Sequence, residues 1–300
     1  MKSKEIAKQA RKLAEPFCIT KGKEFRLKDI DPNDTLWLKD EDKPKATEAL
    51  STGVDALSHY QEMLYADDKR SLLLIFQAMD AAGKDGAIKH VLSGVNPQGC
   101  DVHSFKTPTS EDLDHDYLWR SMKVLPNRGR IGIFNRSYYE EVLVVRVHPA
   151  FLEKQKLPPE LVTRHIWQER FEDIRNFEQY LTRNGTVVLK FFLHLSKKEQ
   201  KRRFMERLED PDKHWKFSSS DMAERAFWDQ YMEAYEDMIQ HTATPNAPWY
   251  VVPADNKWFT RVVVAAAIIQ ALSGLDLKFP KVDKPKLKEL AAAKAVLEKK

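Results

Sequence analysis

The chain has 300 residues, enough for one large α/β domain or two small ones. Its 49 lysines and arginines against 45 aspartates and glutamates give a formal charge of +4, too mild a balance to indicate a nucleic-acid binder. Cys18 and Cys100 lie far apart without CxxC or Cys/His spacing, which argues against a disulfide framework or a structural zinc site.

The first 45 residues are highly charged and show little periodicity. We predict an N-terminal arm over 1–45 that wraps the following domain and is anchored by Phe25, Leu36 and Trp37. No apolar signal-peptide core is visible, and the longest apolar run, 262–269, is too short to span a bilayer. We therefore expect a cytoplasmic protein with no membrane partner.

Short apolar runs and helical patterns alternate through the middle of the chain. Helical spacing predicts a helix over 46–65. Strands are predicted at 71–77, 131–134, 187–193 and 249–252, with 100–105 as a weaker candidate. Further helices are predicted at 88–92, 112–123, 159–184, 197–208, 221–240 and 258–275. This alternation predicts an α/β fold with a three-layer, doubly wound parallel sheet. The tail, 281–300, is predicted to be a charged, solvated helix.

A glycine-containing loop, Asp80-Ala81-Ala82-Gly83-Lys84-Asp85-Gly86, follows the first predicted strand and opens a helix. Backbone N–H groups at a helix N-terminus favour an anion, Gly83 permits close backbone approach, and Lys84 adds a point charge. These features predict a phosphate loop. The alternative is an ordinary strand-to-helix turn with an exposed lysine.

The loop departs twice from the pattern G-x-x-x-x-G-K-[ST]. Ala78 stands where the first glycine belongs, and Asp85 stands where the Ser/Thr belongs. That hydroxyl normally helps to hold Mg²⁺, so another ligand is needed. We predict that Asp80 supplies it.

Polar residues follow the strand predicted at 131–134. Asn135 and Arg136 come first, and Glu140 and Glu141 follow. Because strand C-termini converge on the ligand crevice of such a sheet, Arg136 is predicted to bridge donor and acceptor phosphates, with a glutamate near the metal. The alternative is a surface salt bridge between Arg136 and a glutamate.

A basic segment begins at Ser196, a predicted helix N-cap. It is predicted to form a lid over a polyanion, with these cations: Lys198, Arg202, Arg203, Arg207, Lys213 and Lys216. The alternative is a solvated amphipathic helix.

The three segments together resemble the polyphosphate kinase 2 family. Its phosphate loop resembles D-x-x-G-K-[DG]-G, matched by 80–86, and its second motif resembles F-[DN]-R-S-x-Y, matched by 134–139. Its lid resembles S-K-x-x-Q-x-x-R-x-x-x-R followed by D-P-x-K-x-W-K-x-S, matched by 196–207 and 210–218. The resemblance spans roughly 45–275.

The resemblance implies a P-loop kinase-like phosphotransferase domain over 46–280, with a helical lid over about 196–245. It implies Mg²⁺-dependent (or Mn²⁺-dependent) reversible transfer of a phosphoryl group between inorganic polyphosphate and a nucleotide. Asn135, Glu140-Glu141 and 95–99 resemble the class that converts both AMP to ADP and ADP to ATP. The family also suggests a homo-oligomer.

Site roles follow from this hypothesis. The catalytic residues are predicted to be Asp80, Lys84 and Arg136. Polyphosphate is predicted to contact Gly83, Lys84, Asp85, Gly86, Arg136, Lys198, Arg202, Arg203, Arg207, Lys213 and Lys216. The nucleotide is predicted to contact Asp80, Asn135, Phe105 and Lys106, and the metal is predicted to bind Asp80 and Glu140.

Two other functions fit parts of the pattern. An ATP-dependent nucleoside monophosphate kinase of the thymidylate-kinase-like type would share the fold, lid and loop, but Asp85 and the additional lid cations favour a longer polyanion. A non-enzymatic P-loop nucleic-acid binder is disfavoured by the mild charge balance and by the lack of an aromatic and basic stripe.

Overall fold

Five parallel strands form the centre of the protein, and a short sixth strand pairs antiparallel at one edge. The computed structural model describes residues 3–298. The strands are β1 Cys18–Ile19, β2 Ser71–Gln77, β3 Cys100–Ser104, β4 Ile131–Asn135, β5 Thr186–His194 and β6 Trp249–Pro253. Their order across the sheet is β1-β6-β5-β2-β4-β3. Because β2 lies between β4 and β5, its end lies centrally at the carboxyl edge of the sheet.

The central strand β2 is buried along its whole length. Leu72, Leu74 and Phe76 belong to one hydrophobic core, whereas Leu73 and Ile75 belong to a second core. This alternation places the two cores on opposite faces of the sheet. The continuous apolar run in the sequence reflects burial on both sides.

Helices cover both faces. Those found within residues 3–298 are α1 Ser3–Ala14, α2 Lys43–Asp67, α3 Lys84–Val91, α4 Ser110–Leu113, α5 Trp119–Met122, α6 Val144–Val147, α7 Ala150–Glu153, α8 Ile166–Arg183, α9 Lys197–Glu209, α10 Ser219–Glu224, α11 Trp228–Thr242, α12 Lys257–Ser273 and α13 Lys284–Leu297. Helices α1, α2, α3 and α12 contribute to the first core, and α8 and α11 contribute to the second. The predicted three-layer α/β architecture is therefore confirmed. No helix in the described part of the chain has both the length and the apolarity needed to cross a lipid bilayer.

The N-terminal segment is more ordered than the sequence suggested. It opens with α1, which packs against α12 and buries Ala10 and Ala14. Phe25 is buried as predicted and Leu36 packs partly against the first core, but Trp37 is 61% exposed, so its prediction as an anchor is wrong. Ile6, Ala10, Leu13 and Ala14 repeat with helical spacing and form the apolar face of α1, so the expectation of little periodicity was wrong for this segment.

Two predicted helices are interrupted. The one predicted at 112–123 is α4 followed by α5, and the one predicted at 221–240 is α10, a 3₁₀ turn at Arg225–Phe227, and α11. Helix α11 buries Trp228, Tyr231 and Tyr235 in the second core. The range predicted as a lid, about 196–245, thus includes a core helix. Helix α13 has no buried residue, as expected of a solvated tail, and Lys299 and Lys300 lie outside the described residues.

Candidate active site

A cavity of about 680 Å³ opens at the carboxyl edge of the sheet. Strands β2, β3 and β4 end there, and because they are parallel, the loops that follow them converge. The segments that line the cavity are 80–87, 104–107, 135–136, parts of 203–221, and 257, 260 and 261. The structure thus brings the predicted phosphate loop, the second motif and part of the basic segment to one place.

The loop 80–86 turns sharply between β2 and α3. Gly83 has a backbone φ of +101°, which residues other than glycine rarely adopt. Ala81 has a φ of +64°. The Lys84 ammonium donates a hydrogen bond to the Ala78 carbonyl oxygen at 2.8 Å. Burial lowers the pKa of Lys84, and the nearby Arg136 guanidinium lowers it further, while Asp80 opposes both. Lys84 is therefore a half-buried cation held inside the loop.

Arg136 lies between two carboxylates. Its Nη2 donates to Asp80 Oδ1 at 3.0 Å, and its Nη1 is 3.7 Å from Glu140 Oε2. Glu140 raises the pKa of Arg136 most, burial opposes this, and Asp80 raises it further. Arg136 also has a φ of +64°, so its backbone is held in a conformation that costs energy at a non-glycine residue. The second motif thus aims a permanent cation at the loop.

Two tyrosines fix the second motif to the core. The hydroxyls of Tyr138 and Tyr139 donate to Glu178 Oε1 at 2.9 and 2.7 Å. The ammonium of Lys190, on β5, donates to Glu178 Oε2 at 2.6 Å, and all four side chains are buried. This network holds the turn after β4 rigidly against the sheet, which orients Arg136.

Asp85 contacts the second motif rather than a cation. The Asn135 side-chain amide donates to Asp85 Oδ1 at 2.6 Å. Phe105 and Lys106, directly after β3, also line the cavity. The Phe105 backbone N–H donates to the Asn135 carbonyl oxygen at 3.0 Å, and the Phe105 ring packs edge-on against Phe134. The predicted nucleotide residues therefore lie together.

The guanidinium of Arg203 is occupied by the protein itself. Its Nε donates to Glu199, its Nη1 to the carbonyls of Ala81 and Ala82, and its Nη2 to those of Ala254 and Asp255, at 2.6–3.0 Å. An arginine has five N–H donors, so none remains for a phosphate. Arg203 lines the cavity, but its donors are engaged by the protein in this arrangement, and its predicted contact with polyphosphate stays a prediction. This residue fastens α9 to the loop and to the segment that follows β6.

Helix α9 presents its cations on different sides. Arg207 lines the cavity together with Lys213 and Lys216 of the following 3₁₀ turn. Lys198 and Arg202 do not line it, and Arg202 instead pairs with Glu199 and Glu206. The predicted polyphosphate contacts of Lys198 and Arg202 are therefore not supported by this geometry, because a helix cannot turn all its cations toward one cavity.

Several residues that line the cavity were not predicted from the sequence. Asp221 lines the cavity beside Arg207, and burial, followed by the nearby Asp80, raises its pKa. Lys257 and Arg261 enter from the start of α12, whose otherwise apolar sequence indicated only a core helix. Their one-turn spacing was the only available signal.

The acidic side chains of the cavity supply few ligands for a metal ion. Among residues 3–298 there is no cluster of three or more His, Cys, Asp or Glu side chains placed to hold a metal ion. Asp80 lines the cavity, whereas Glu140 does not and accepts a hydrogen bond from Gln77. Mg²⁺ is commonly held by one or two carboxylates plus substrate phosphates and water, so Asp80 fits as a single protein ligand.

The fold and the cavity define an α/β protein of the P-loop type with a basic cleft at the strand ends. A family model described as Polyphosphate kinase 2 (PPK2) matches residues 39–280. The chain therefore belongs to the polyphosphate kinase 2 family, which confirms the family that the three motifs predicted.

Individual relatives support the same family assignment. A protein of Rhodopseudomonas palustris named ADP-polyphosphate phosphotransferase is 52% identical over 251 residues, 83% of this chain and 87% of that protein. A protein of Meiothermus ruber named AMP/ADP-polyphosphate phosphotransferase is 44% identical over 274 residues, 91% of this chain and 96% of that protein. The crystal structure of Polyphosphate Kinase 2 from Arthrobacter aurescens TC1 matches with a TM-score of 0.86 at 40% identity, covering 96% of this chain and 97% of that one.

Proposed function

We propose that the protein transfers a phosphoryl group between inorganic polyphosphate and a nucleotide, converting AMP to ADP and ADP to ATP, reversibly. The observation that carries this proposal is the pairing of Asp80 with Arg136 beside Lys84, in a cavity that is otherwise rich in cations. Family membership supports the same reaction.

The reaction follows from charge placement. An oxygen of the nucleotide's terminal phosphate attacks the terminal phosphorus of polyphosphate in line, and the bond from that phosphorus to its bridging oxygen breaks. The bonding electrons leave with the shortened polyphosphate, so no protein nucleophile is required. Lys84 and Arg136 hold the two phosphates together and stabilise the charge on the transferring group. Mg²⁺ or Mn²⁺ bound at Asp80 would neutralise further phosphate charge.

We also propose that the enzyme uses both AMP and ADP as acceptors. The two relatives named above differ, one being named for ADP and the other for AMP and ADP. Phe105, Lys106 and Asn135 line the cavity with a ring, a cation and an amide, which suits both a nucleoside monophosphate and a nucleoside diphosphate. Self-association, a cytoplasmic location and the absence of nucleic-acid and membrane partners stay predictions.

The test measures ADP and ATP made from AMP, and ATP made from ADP, with polyphosphate as sole donor. Asp80→Asn and Lys84→Ala should each lower kcat at least about 100-fold while the far-ultraviolet circular dichroism stays that of the wild type. Matched controls remove the same charge from exposed positions outside the cavity, Asp55→Asn and Lys288→Ala, and should keep full activity.

Two results would overturn the proposal. Near-wild-type turnover by Asp80→Asn or Lys84→Ala would remove these residues from the reaction. A wild-type enzyme that phosphorylates AMP from ATP but not from polyphosphate would be a nucleoside monophosphate kinase instead. Activity with ADP alone would contradict only the dual acceptor range.

A further inference from the structure

The side chain of Gln200 joins the loop 80–86 to a segment far away in the sequence. Gln200 lies on α9, is fully buried and does not line the cavity. Its Nε2 donates to the Asp80 carbonyl oxygen at 3.0 Å, and its Oε1 accepts from Arg225 Nη1 at 2.8 Å. The same Nη1 donates to the Lys197 carbonyl oxygen at 2.8 Å, which fixes Arg225 to the start of α9. The buried amide therefore binds the loop with one end and the turn between α10 and α11 with the other.

The two partners determine which way the Gln200 amide faces. A carbonyl oxygen only accepts hydrogen bonds, and a guanidinium only donates them. The amide nitrogen must therefore face Asp80 and the amide oxygen must face Arg225, because a flipped amide would lose both contacts. Arg225 thus holds Gln200 in the one orientation that can bind the loop.

The contact lies next to a strained residue of the loop. Ala81 has a φ of +64°, a left-handed conformation that costs energy at residues other than glycine. Such a conformation persists only where the surrounding contacts hold it. The peptide group before Ala81 is held by Gln200 through the Asp80 carbonyl. The peptide group after Ala81 is held by Arg203, which donates to the Ala81 carbonyl at 2.9 Å. Two side chains of α9 therefore fix both peptide groups that flank the strained residue.

We propose that Gln200 is a positioning residue for phosphoryl transfer, because it holds Ala81 in its left-handed conformation and so sets the direction of Asp80 at the cavity. This inference rests on the proposed function. Gln200 acts only through the loop, since it does not line the cavity. Because a peptide group is planar, the fixed Asp80 carbonyl also fixes the direction of the Ala81 N–H. A loop that relaxed at Ala81 would shift Asp80 from Arg136, which donates to it at 3.0 Å.

The experiment is a double-mutant cycle between Gln200 and Ala81, measured at saturating ADP and polyphosphate. Gln200→Met keeps an unbranched side chain and removes both hydrogen bonds, so kcat should fall at least about tenfold, as expected when reacting groups are misplaced. Glycine adopts a positive φ without strain, so the loop of an Ala81→Gly variant depends less on the amide. In that background, Gln200→Met should lower kcat less than about threefold relative to Ala81→Gly alone. A role of Gln200 in folding alone would not depend on residue 81.

A matched control changes a glutamine that is exposed and does not line the cavity. Gln179 lies on α8, and Gln179→Met should leave kcat unchanged in both backgrounds. Wild-type kcat in Gln200→Met, or a loss of the same size in both backgrounds, would overturn the role of Gln200.

A wild-type protein that forms no ATP from ADP and polyphosphate would instead overturn the proposed function. The same cycle measured by thermal unfolding needs no substrate and would then decide whether Gln200 holds the loop. Gln200→Met should lower the melting temperature less in the Ala81→Gly background than in the wild type, and an equal fall in both would contradict the contact between Gln200 and the strained loop.

Discussion

Replacement of Arg203 by lysine tests whether this arginine binds substrate or holds the loop in place. The change keeps the positive charge, but it replaces a rigid five-donor fork with a single ammonium on a flexible stem. Arg203 is 3% exposed and donates to four backbone carbonyls in two separate segments. One ammonium cannot span both segments, so at least two buried carbonyls lose their partner.

The size of the effect follows from these contacts. Each buried carbonyl left without a donor costs about 1–3 kcal/mol, so Arg203→Lys should destabilise the protein by about 2–6 kcal/mol. For a protein of this size, the melting temperature should fall by roughly 4–12 °C. Turnover should fall at least about tenfold, because the carbonyls of Ala81 and Ala82 belong to the loop that carries Lys84. KM for polyphosphate should stay within about twofold of the wild type.

The assay pairs thermal unfolding with steady-state kinetics, and the neighbouring arginine is the matched control. Arg202 is half-exposed and pairs with Glu199 and Glu206 at the surface, so Arg202→Lys should shift stability by less than about 1 kcal/mol. If Arg203→Lys kept wild-type turnover and melting temperature, the positioning role would be refuted. A rise in KM with unchanged kcat would restore Arg203 as a substrate contact.

Two buried groups away from the cavity allow further predictions. Lys190→Met should cost about 3–5 kcal/mol because it leaves Glu178 buried without its cation, and adding Glu178→Gln should recover more than half of that loss in urea unfolding. Burial lowers the pKa of His194 from its ordinary 6.5 to about 4. Between these values the unfolded chain binds a proton that the native protein does not, so stability should fall by about 1.4 kcal/mol per pH unit as pH drops through this window. His194→Gln should flatten that slope, whereas replacing the exposed His59 should not; a slope unchanged by His194→Gln would contradict this assignment.

The sheet was predictable because burial on both faces leaves a strong signal. The strand predicted at 71–77 matches β2 residue for residue, and the other four predicted strands differ from β3, β4, β5 and β6 by one residue at one or both ends. The short edge strand β1 was not predicted. Helices were harder where a turn interrupts a continuous pattern, as at Arg225–Phe227. Helix α1 was missed although its apolar residues Ile6, Ala10, Leu13 and Ala14 repeat with helical spacing. The spacing of apolar residues shows which face of a helix is buried. It does not reveal a short interruption of the helix when the same face stays buried on both sides of it.

The cavity residues, like the helices, include some that the sequence predicted and some that it did not. Asp80 and Lys84 of the loop and Arg136 of the second motif were found because the spacing of residues within each motif reflects a local geometry. Lys257 and Arg261 were missed because they reach the cavity from a helix far away in the sequence. The direction of a helical cation depends on packing, so the sequence could not show that the Arg203 guanidinium donates to backbone carbonyls of two segments.

The two unusual carboxylates of the loop are explained by the second motif. A carboxylate beside a phosphate is repelled unless a positive or donating group stands near it. Asp80 has the Arg136 guanidinium at 3.0 Å, and Asp85 has the Asn135 amide at 2.6 Å. Both partners sit next to each other at the end of β4, whose pairing with β2 sets them beside the loop. The two motifs therefore form one unit, in which the loop supplies the acids and the strand end supplies their hydrogen-bond donors.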